Sequence, residues 1–228
     1  MGDLASRPEL RRVAAKLAPG RVLDAGSGTG FLTRQLQSSL PDAFIHSLDR
    51  ELSLLRHAMT DDRTRRFVLC GDIRSTPYCG DAFDVIVCAG VLMHFSATDL
   101  FQIFSEFRRI VRVGGSIVIS VPHPTLFHCR SPARRHKDCW LRLVPVVRQL
   151  TRPAPFVEHY KDVHGEIFKS IVWSHSAESY ARLLRGAGFR GVRCRTILIR
   201  RAHLITPRWG AAHSYPGYLH ITAEKTSA

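Results

Sequence analysis

The sequence predicts an α/β fold: an open, mostly parallel sheet with helices on both faces, closed by a C-terminal antiparallel pair. Three observations carry that expectation. Between residues 8 and 121, short apolar runs alternate with amphipathic helical stretches, the rhythm of repeated right-handed crossovers. The stretch Phe83–Ala89 is dominated by apolar residues, as a strand covered on both faces requires. Residues 21–30, R-V-L-D-A-G-S-G-T-G, lead from an apolar run through alternate glycines into a helical pattern. Such a turn lets backbone approach a ligand and points the free N–H groups of a helix start into a crevice.

Each element has its own signal. Arg7–Ala18 places Leu10, Val13, Ala14 and Leu17 on one helical face, and Pro19-Gly20 ends it. Val22–Ala25 is the first strand, and Gly30–Leu40 is its helix, stopped by Pro41. Ala43–Leu48 reads as the second strand, Glu51–Met59 as a helix and Phe67–Cys70 as the third strand. The fourth strand, Phe83–Ala89, precedes a long helix over 97–112 with the stripe Leu100, Ile103, Phe104, Phe107, Ile110 and Val111. Gly114-Gly115 ends that helix, and Ser116–Val121 is the fifth strand. The rhythm then breaks: residues 122–158 hold six prolines and a run of arginines, so an insertion is expected rather than another sheet layer. Val157–Val163 and Glu166–Trp173 fit a hairpin around His164-Gly165. Ser176–Gly186 is a helix with Ser176 as N-cap and Gly188 after its end. Val192–Ile199 and Tyr218–Glu224 alternate as the closing pair.

Length and composition bound the function. At 228 residues and 45% hydrophobic, the chain suits one domain, 1–228, with residues 123–175 inserted as a cap. No apolar run reaches the ~20 residues of a membrane span, and Met1-Gly2-Asp3-Leu4 lacks the basic start of a secretory signal. A cytoplasmic protein with no membrane partner, monomeric or homodimeric, is expected. The net charge of +14 is that of a solvated basic surface or of a chain drawn to an anionic partner. The six cysteines form no C-x-x-C pair; Cys70 and Cys88 fall in expected core strands. His128, Cys129, His136 and Cys139 cluster but match no zinc spacing, so no metal is expected.

The glycine turn is not the dinucleotide fingerprint, because Phe31 occupies the third glycine place of G-x-G-x-x-G. Instead, Asp24-x-Gly26-x-Gly28-x-Gly30 resembles motif I of the class I S-adenosylmethionine (SAM)-dependent methyltransferases. The resemblance is strong over residues 20–121 and moderate over 176–225, where Leu183-Leu184-x-x-Ala187-Gly188-Phe189 looks like a junction of the small-molecule branch. It implies a seven-stranded Rossmann-like methyltransferase sheet and SAM as methyl donor. It also implies four cofactor stations. Asp24, Ala25, Gly26, Ser27 and Gly28 would surround the amino-acid part of SAM. Asp49, 19 residues after Gly30, would accept from the ribose diol, whose cis hydroxyls suit paired carboxylate oxygens. Arg50 would lie along the adenine, Asp72 would accept from its exocyclic amine, and Ile73 would cover the ring. The carbonyl of Ala89, in Asp81–Gly90, would meet the ammonium.

Methyl transfer from a sulfonium is an in-line displacement, governed by placement and exclusion of water more than by catalytic groups. His94 and His123 follow the fourth and fifth strands on the ligand side of the sheet. Each reads either as a packing or cofactor-shell residue or as a general base for a hydroxyl acceptor. His175, Tyr160 and Trp173 flank the expected hairpin and read as packing or as lid lining. The fourth strand ends in Cys88-Ala89-Gly90-Val91 rather than in the Asn/Asp-Pro-Pro-Tyr of amino-methylating nucleic-acid enzymes. The leading expectation is transfer to an oxygen or nitrogen of a small-molecule substrate, in specialised metabolite biosynthesis. Residues 125–157 carry seven basic side chains against one acidic, which keeps an RNA methyltransferase as the alternative. A SAM-binding subunit that needs a partner is a third reading.

Overall fold

A computed structural model describes residues 7–59, 67–124, 155–161, 167–199 and 215–227. In chain order these form α1 (Arg7–Lys16), β1 (Arg21–Ala25), α2 (Phe31–Ser39), β2 (Phe44–Asp49), α3 (Leu52–Ala58), β3 (Val68–Cys70) and β4 (Phe83–Ala89). A 3-10 turn at Leu92–His94 leads to α4 (Ala97–Ile110), β5 (Val111–Pro122), β6 (Pro155–Lys161), β7 (Ile167–Trp173), α5 (Ala177–Gly186), β8 (Arg190–Ile199) and β9 (Tyr215–Glu224). Seven strands make one sheet in the order β3-β2-β1-β4-β5-β9-β8, and β6-β7 stand apart as an antiparallel hairpin. β1 to β5 pair in parallel, whereas β9 runs antiparallel to both β5 and β8. The expected Rossmann-like sheet is thus the observed one.

Side-chain alternation along β4 shows why helices are needed on both faces. Val85 and Val87 join a cluster with Leu10 and Ala14 of α1 and Leu36 of α2. Ile86 and Cys88 point the other way, into a cluster with Phe104 and Phe107 of α4 and Leu184 of α5. A period of two on a doubly covered strand gives this division. The connection then reverses: β1 pairs with β2 on one side and β4 on the other. An open α/β sheet leaves its ligand crevice at such a reversal, beyond the carboxyl ends of the strands.

Helix α4 is set by a capping box at Ser96 and Asp99, with Leu100, Ile103, Phe104, Phe107 and Ile110 buried. It stops at Ile110 rather than 112. Val111 already pairs with Phe83, and the register slips before Val85 meets Ser116. Gly114 and Gly115 therefore lie within an irregular stretch of β5, not at a helix end. Lys225 holds this stretch: its N–H donates to Gly115 O at 2.9 Å and its Nζ to Val111 O at 2.8 Å. Ser176 caps α5 as expected, accepting from the Ser179 N–H. Two further expectations change. Leu17 lies beyond the end of α1 and is exposed, and Cys70 is exposed because β3 is an edge strand. The hairpin turn at His164-Gly165, and most of the basic stretch 125–157, lie outside the described residues.

Candidate active site

The glycine turn is built on a buried carboxylate. Asp24, at the end of β1, is 1% exposed. Its Oδ2 accepts from Thr33 Oγ1 at 2.6 Å, and Thr33 Oγ1 lies 2.9 Å from Ser47 Oγ of β2. A short polar chain therefore ties β1, α2 and β2 together beneath the loop. The loop's first amides turn inward: Gly26 N–H and Ser27 N–H both donate to Leu48 O, at 2.7 and 3.0 Å. Gly26 has φ +78°, and a Cβ there would overlap Val91 Cγ2, so packing as well as dihedral demands glycine. Gly28, at φ +54°, is different: a Cβ there would have only Leu54 Cδ1 nearby, at 3.9 Å. Of these two glycines, Gly28 is the one with open space before it. Ser27 Oγ is buried without a hydrogen-bond partner.

Asp49 closes the loop from β2. Its Oδ2 accepts from Gly28 N–H at 2.8 Å and its Oδ1 from Glu51 N–H at 2.9 Å. Each oxygen keeps a lone pair. Arg50 beside it is exposed. After β3, Asp72 is gripped by Arg74, whose Nη2 donates to Oδ2 at 2.7 Å and whose N–H donates to Oδ1 at 2.8 Å. Those bonds hold the Asp72 carboxyl below the usual carboxylate range. Ile73 is buried, packed in the same core cluster as Leu48, so it forms floor rather than an exposed cover. Ala89 ends β4 opposite Ser120, and Gly90 N–H donates to Ser120 O at 2.8 Å. The four stations expected from sequence thus stand at the carboxyl ends of four adjacent strands, β3, β2, β1 and β4.

On the other side of the crevice, the hairpin meets the 3-10 turn. His94 Nδ1 lies 3.1 Å from Ser170 Oγ and 3.3 Å from Ile171 O of β7. A carbonyl only accepts, so in the neutral ring this contact places the proton on Nδ1 and leaves the lone pair on Nε2. His175 Nε2 donates to Phe95 O at 2.9 Å. Its ring is nearly parallel to that of Trp173, with centroids 6.3 Å apart. His175 is therefore a packing residue that pins the segment after β7 to the turn. Burial lowers its pKa. His123, just past β5, is half-buried; its N–H donates to Gly217 O at 2.9 Å, and burial lowers its pKa too. Ser170, Thr33 and Arg74 carry geometry that sequence reasoning did not single out. Among the described residues, no cluster of His, Cys, Asp and Glu is placed to hold a metal. His128, Cys129, His136 and Cys139 lie outside them.

Known proteins resemble the stretch that lines this crevice. A methyltransferase-domain family model matches residues 22–115, the stretch that carries all four stations. That match, with the relatives and structures that follow, supports a class I SAM-dependent methyltransferase. SAM is accordingly the methyl donor of this methyltransferase. The chain is 28% identical over 198 residues to a demethylmenaquinone methyltransferase of Roseiflexus sp. strain RS-1, covering 85% of this chain and 78% of that one. It is 31% identical over 127 residues to a malonyl-[acyl-carrier protein] O-methyltransferase of Legionella pneumophila, covering 55% of this chain and 44% of that one. In fold, it resembles an S-adenosylmethionine dependent methyltransferase of Mesorhizobium loti, with TM-score 0.68 at 17% identity, over 98% of this chain and 99% of that one. Among the described residues, no helix is long and apolar enough to cross a membrane.

The residues present fit the donor. A sulfonium amino acid brings an ammonium and a carboxylate, a ribose diol and an adenine. The crevice offers the buried, unpartnered Ser27 Oγ, the open flank of Gly28 and carboxylates at Asp49 and Asp72.

Proposed function

We propose that this methyltransferase moves the methyl group of SAM to an oxygen or nitrogen of a small-molecule acceptor, with residues 123–175 capping the site. The observation that carries the reading is the docking of β7 on the turn after β4, through His94 with Ser170 and Ile171 and through His175 with Phe95. That contact sets a hairpin beside the crevice, where a displacement needs water excluded. Of the relatives, one is named for demethylmenaquinone and another for the malonyl group of an acyl carrier protein; neither name is that of a nucleic acid.

In this reading, Asp49 takes the ribose diol, Asp72 the adenine amine, and Asp24 holds the loop that receives the amino-acid end. The Gly26 and Ser27 amides are spent on Leu48 O, and the ammonium, which only donates, goes to carbonyl acceptors, Ala89 O among them. Ser27 Oγ supplies a further polar contact, and Arg50 lies over the outer edge of the base. The bound sulfonium supplies an electrophilic methyl group with a thioether as leaving group. For a hydroxyl acceptor, His94 Nε2 accepts the proton as the new carbon–oxygen bond forms; His123, kept neutral by burial, stands as the other base. An amine acceptor attacks with its own lone pair and needs neither.

A methyl-labelled SAM assay tests the reading on the isolated chain. It offers quinol, phenol, amine and carboxylate acceptors in parallel with transfer RNA. Label recovered in a small-molecule product supports the proposal. Label found only in RNA, or only when a partner protein is added, overturns it.

A further inference from the structure

Resting on the reading of Asp72 as the adenine contact, we propose that Arg74 is a positioning residue for base selection, fixing Asp72 as an oriented acceptor for the exocyclic amine. The geometry is a two-sided grip. Arg74 Nε reaches both Asp72 oxygens, at 3.1 and 3.2 Å, while Nη2 donates to Oδ2 at 2.7 Å. Nη1 turns the other way, to Asp99 Oδ1 at 3.3 Å. Asp99 is itself fixed by the cap of α4, accepting from Ser96 Oγ at 2.6 Å. The guanidinium also lies 5.9 Å from the centroid of Phe95, in the segment that carries His94.

The planar fork of arginine leaves Asp72 few orientations, and a guanidinium between two carboxylates cancels the repulsion that would turn Asp72 away from Asp99. An ionised carboxylate can only accept. It therefore suits a purine bearing an amine at C6 and repels one bearing a carbonyl there. Removing Arg74 frees Asp72 to rotate and to move from Asp99, so that its oxygens no longer stand aligned for the amine.

Calorimetry on the full chain tests this with two ligands, S-adenosylhomocysteine and its deaminated counterpart S-inosylhomocysteine. The native chain is expected to prefer the adenine ligand, and Arg74→Gln to reduce that preference by about tenfold, the scale of a charge-assisted hydrogen bond. Arg74→Lys, which keeps the charge but loses the fork, is expected to fall between. A helix-anchoring role alone would weaken both ligands equally and leave their ratio intact, so an unchanged ratio in Arg74→Gln overturns the proposal. If Arg74→Gln fails to fold, an unchanged ratio in Arg74→Lys overturns it instead. Asp72→Asn separates the two layers. A preference that survives in Asp72→Asn removes the reading of Asp72 itself; one lost there but kept in the Arg74 variants removes only the role of Arg74.

Discussion

At Gly26 the backbone lies at φ +78° and Val91 fills the space where a Cβ would stand. Gly26→Ala is therefore expected to destabilise the chain by about 1–3 kcal/mol from overpacking, with about 1–2 kcal/mol more from the left-handed conformation. Urea unfolding of Gly26→Ala beside the double variant Gly26→Ala/Val91→Ala separates these, since only the steric part should be recovered. No recovery, or no loss at all, would contradict the packing account; full recovery would contradict the left-handed cost. Thr33 makes a second case. Thr33→Val removes a hydroxyl that donates to buried Asp24, and a hydrogen bond to a charged group is worth about 1.5–3 kcal/mol, readable as a lower unfolding midpoint. Asp24, Asp49 and Asp72 stood out as candidates through the resemblance, each at a fixed place after an apolar run. Thr33 and Arg74 did not. A threonine early in a helix and an arginine two residues past an aspartate look like ordinary surface until the fold brings Asp24 and Asp99 to them.

Elements with uniform periodicity were legible almost to the residue: β4 occupies Phe83–Ala89 as expected. The end of α4 was not, for a physical reason. Val111 continues the apolar i, i+4 stripe of the helix, yet its partner is Phe83 across the sheet, and pattern alone cannot tell a helical position from the first residue of a strand. The hairpin was legible as two β-rich runs; that it lies against the turn after β4 was not, because tertiary contact leaves no periodic trace. The capping box at Ser96 is an element-scale device with two tasks, starting α4 and holding Asp99 for Arg74. Ser96→Ala is expected to cost about 0.5–2 kcal/mol of stability and to weaken S-adenosylhomocysteine binding. Lost stability with untouched binding would separate the cap from the site.

Across the molecule, two sets of groups set the response to acid. Burial lowers the pKa of His46, His123 and His175, although a bond to Phe95 O opposes it at His175. Groups whose folded pKa is depressed stabilise the native state above their unfolded pKa and lose that contribution as pH falls. Stability should therefore decline as pH falls through about 6.5, the free histidine value. A second decline is expected below about 4, where Asp72 and Asp99, held low by Arg74 and by Ser96 respectively, take up protons. Unfolding midpoints recorded from pH 8 to 3 check this; a flat profile down to pH 5 would deny the buried neutral histidines.

The doubly wound sheet was legible from its alternation, and the proposed cofactor edge rests on one glycine turn and two aspartates. The acceptor side was not legible, since displacement chemistry needs little beyond placement and leaves a sparse signature. The most direct test is titration of the full chain with S-adenosylhomocysteine, native and Asp49→Ala. One-to-one binding that weakens by one to two orders of magnitude, about 1.5–3 kcal/mol for a charge-assisted contact, is the expected result. Equal affinity in the two proteins would contradict the placement of the donor in this crevice.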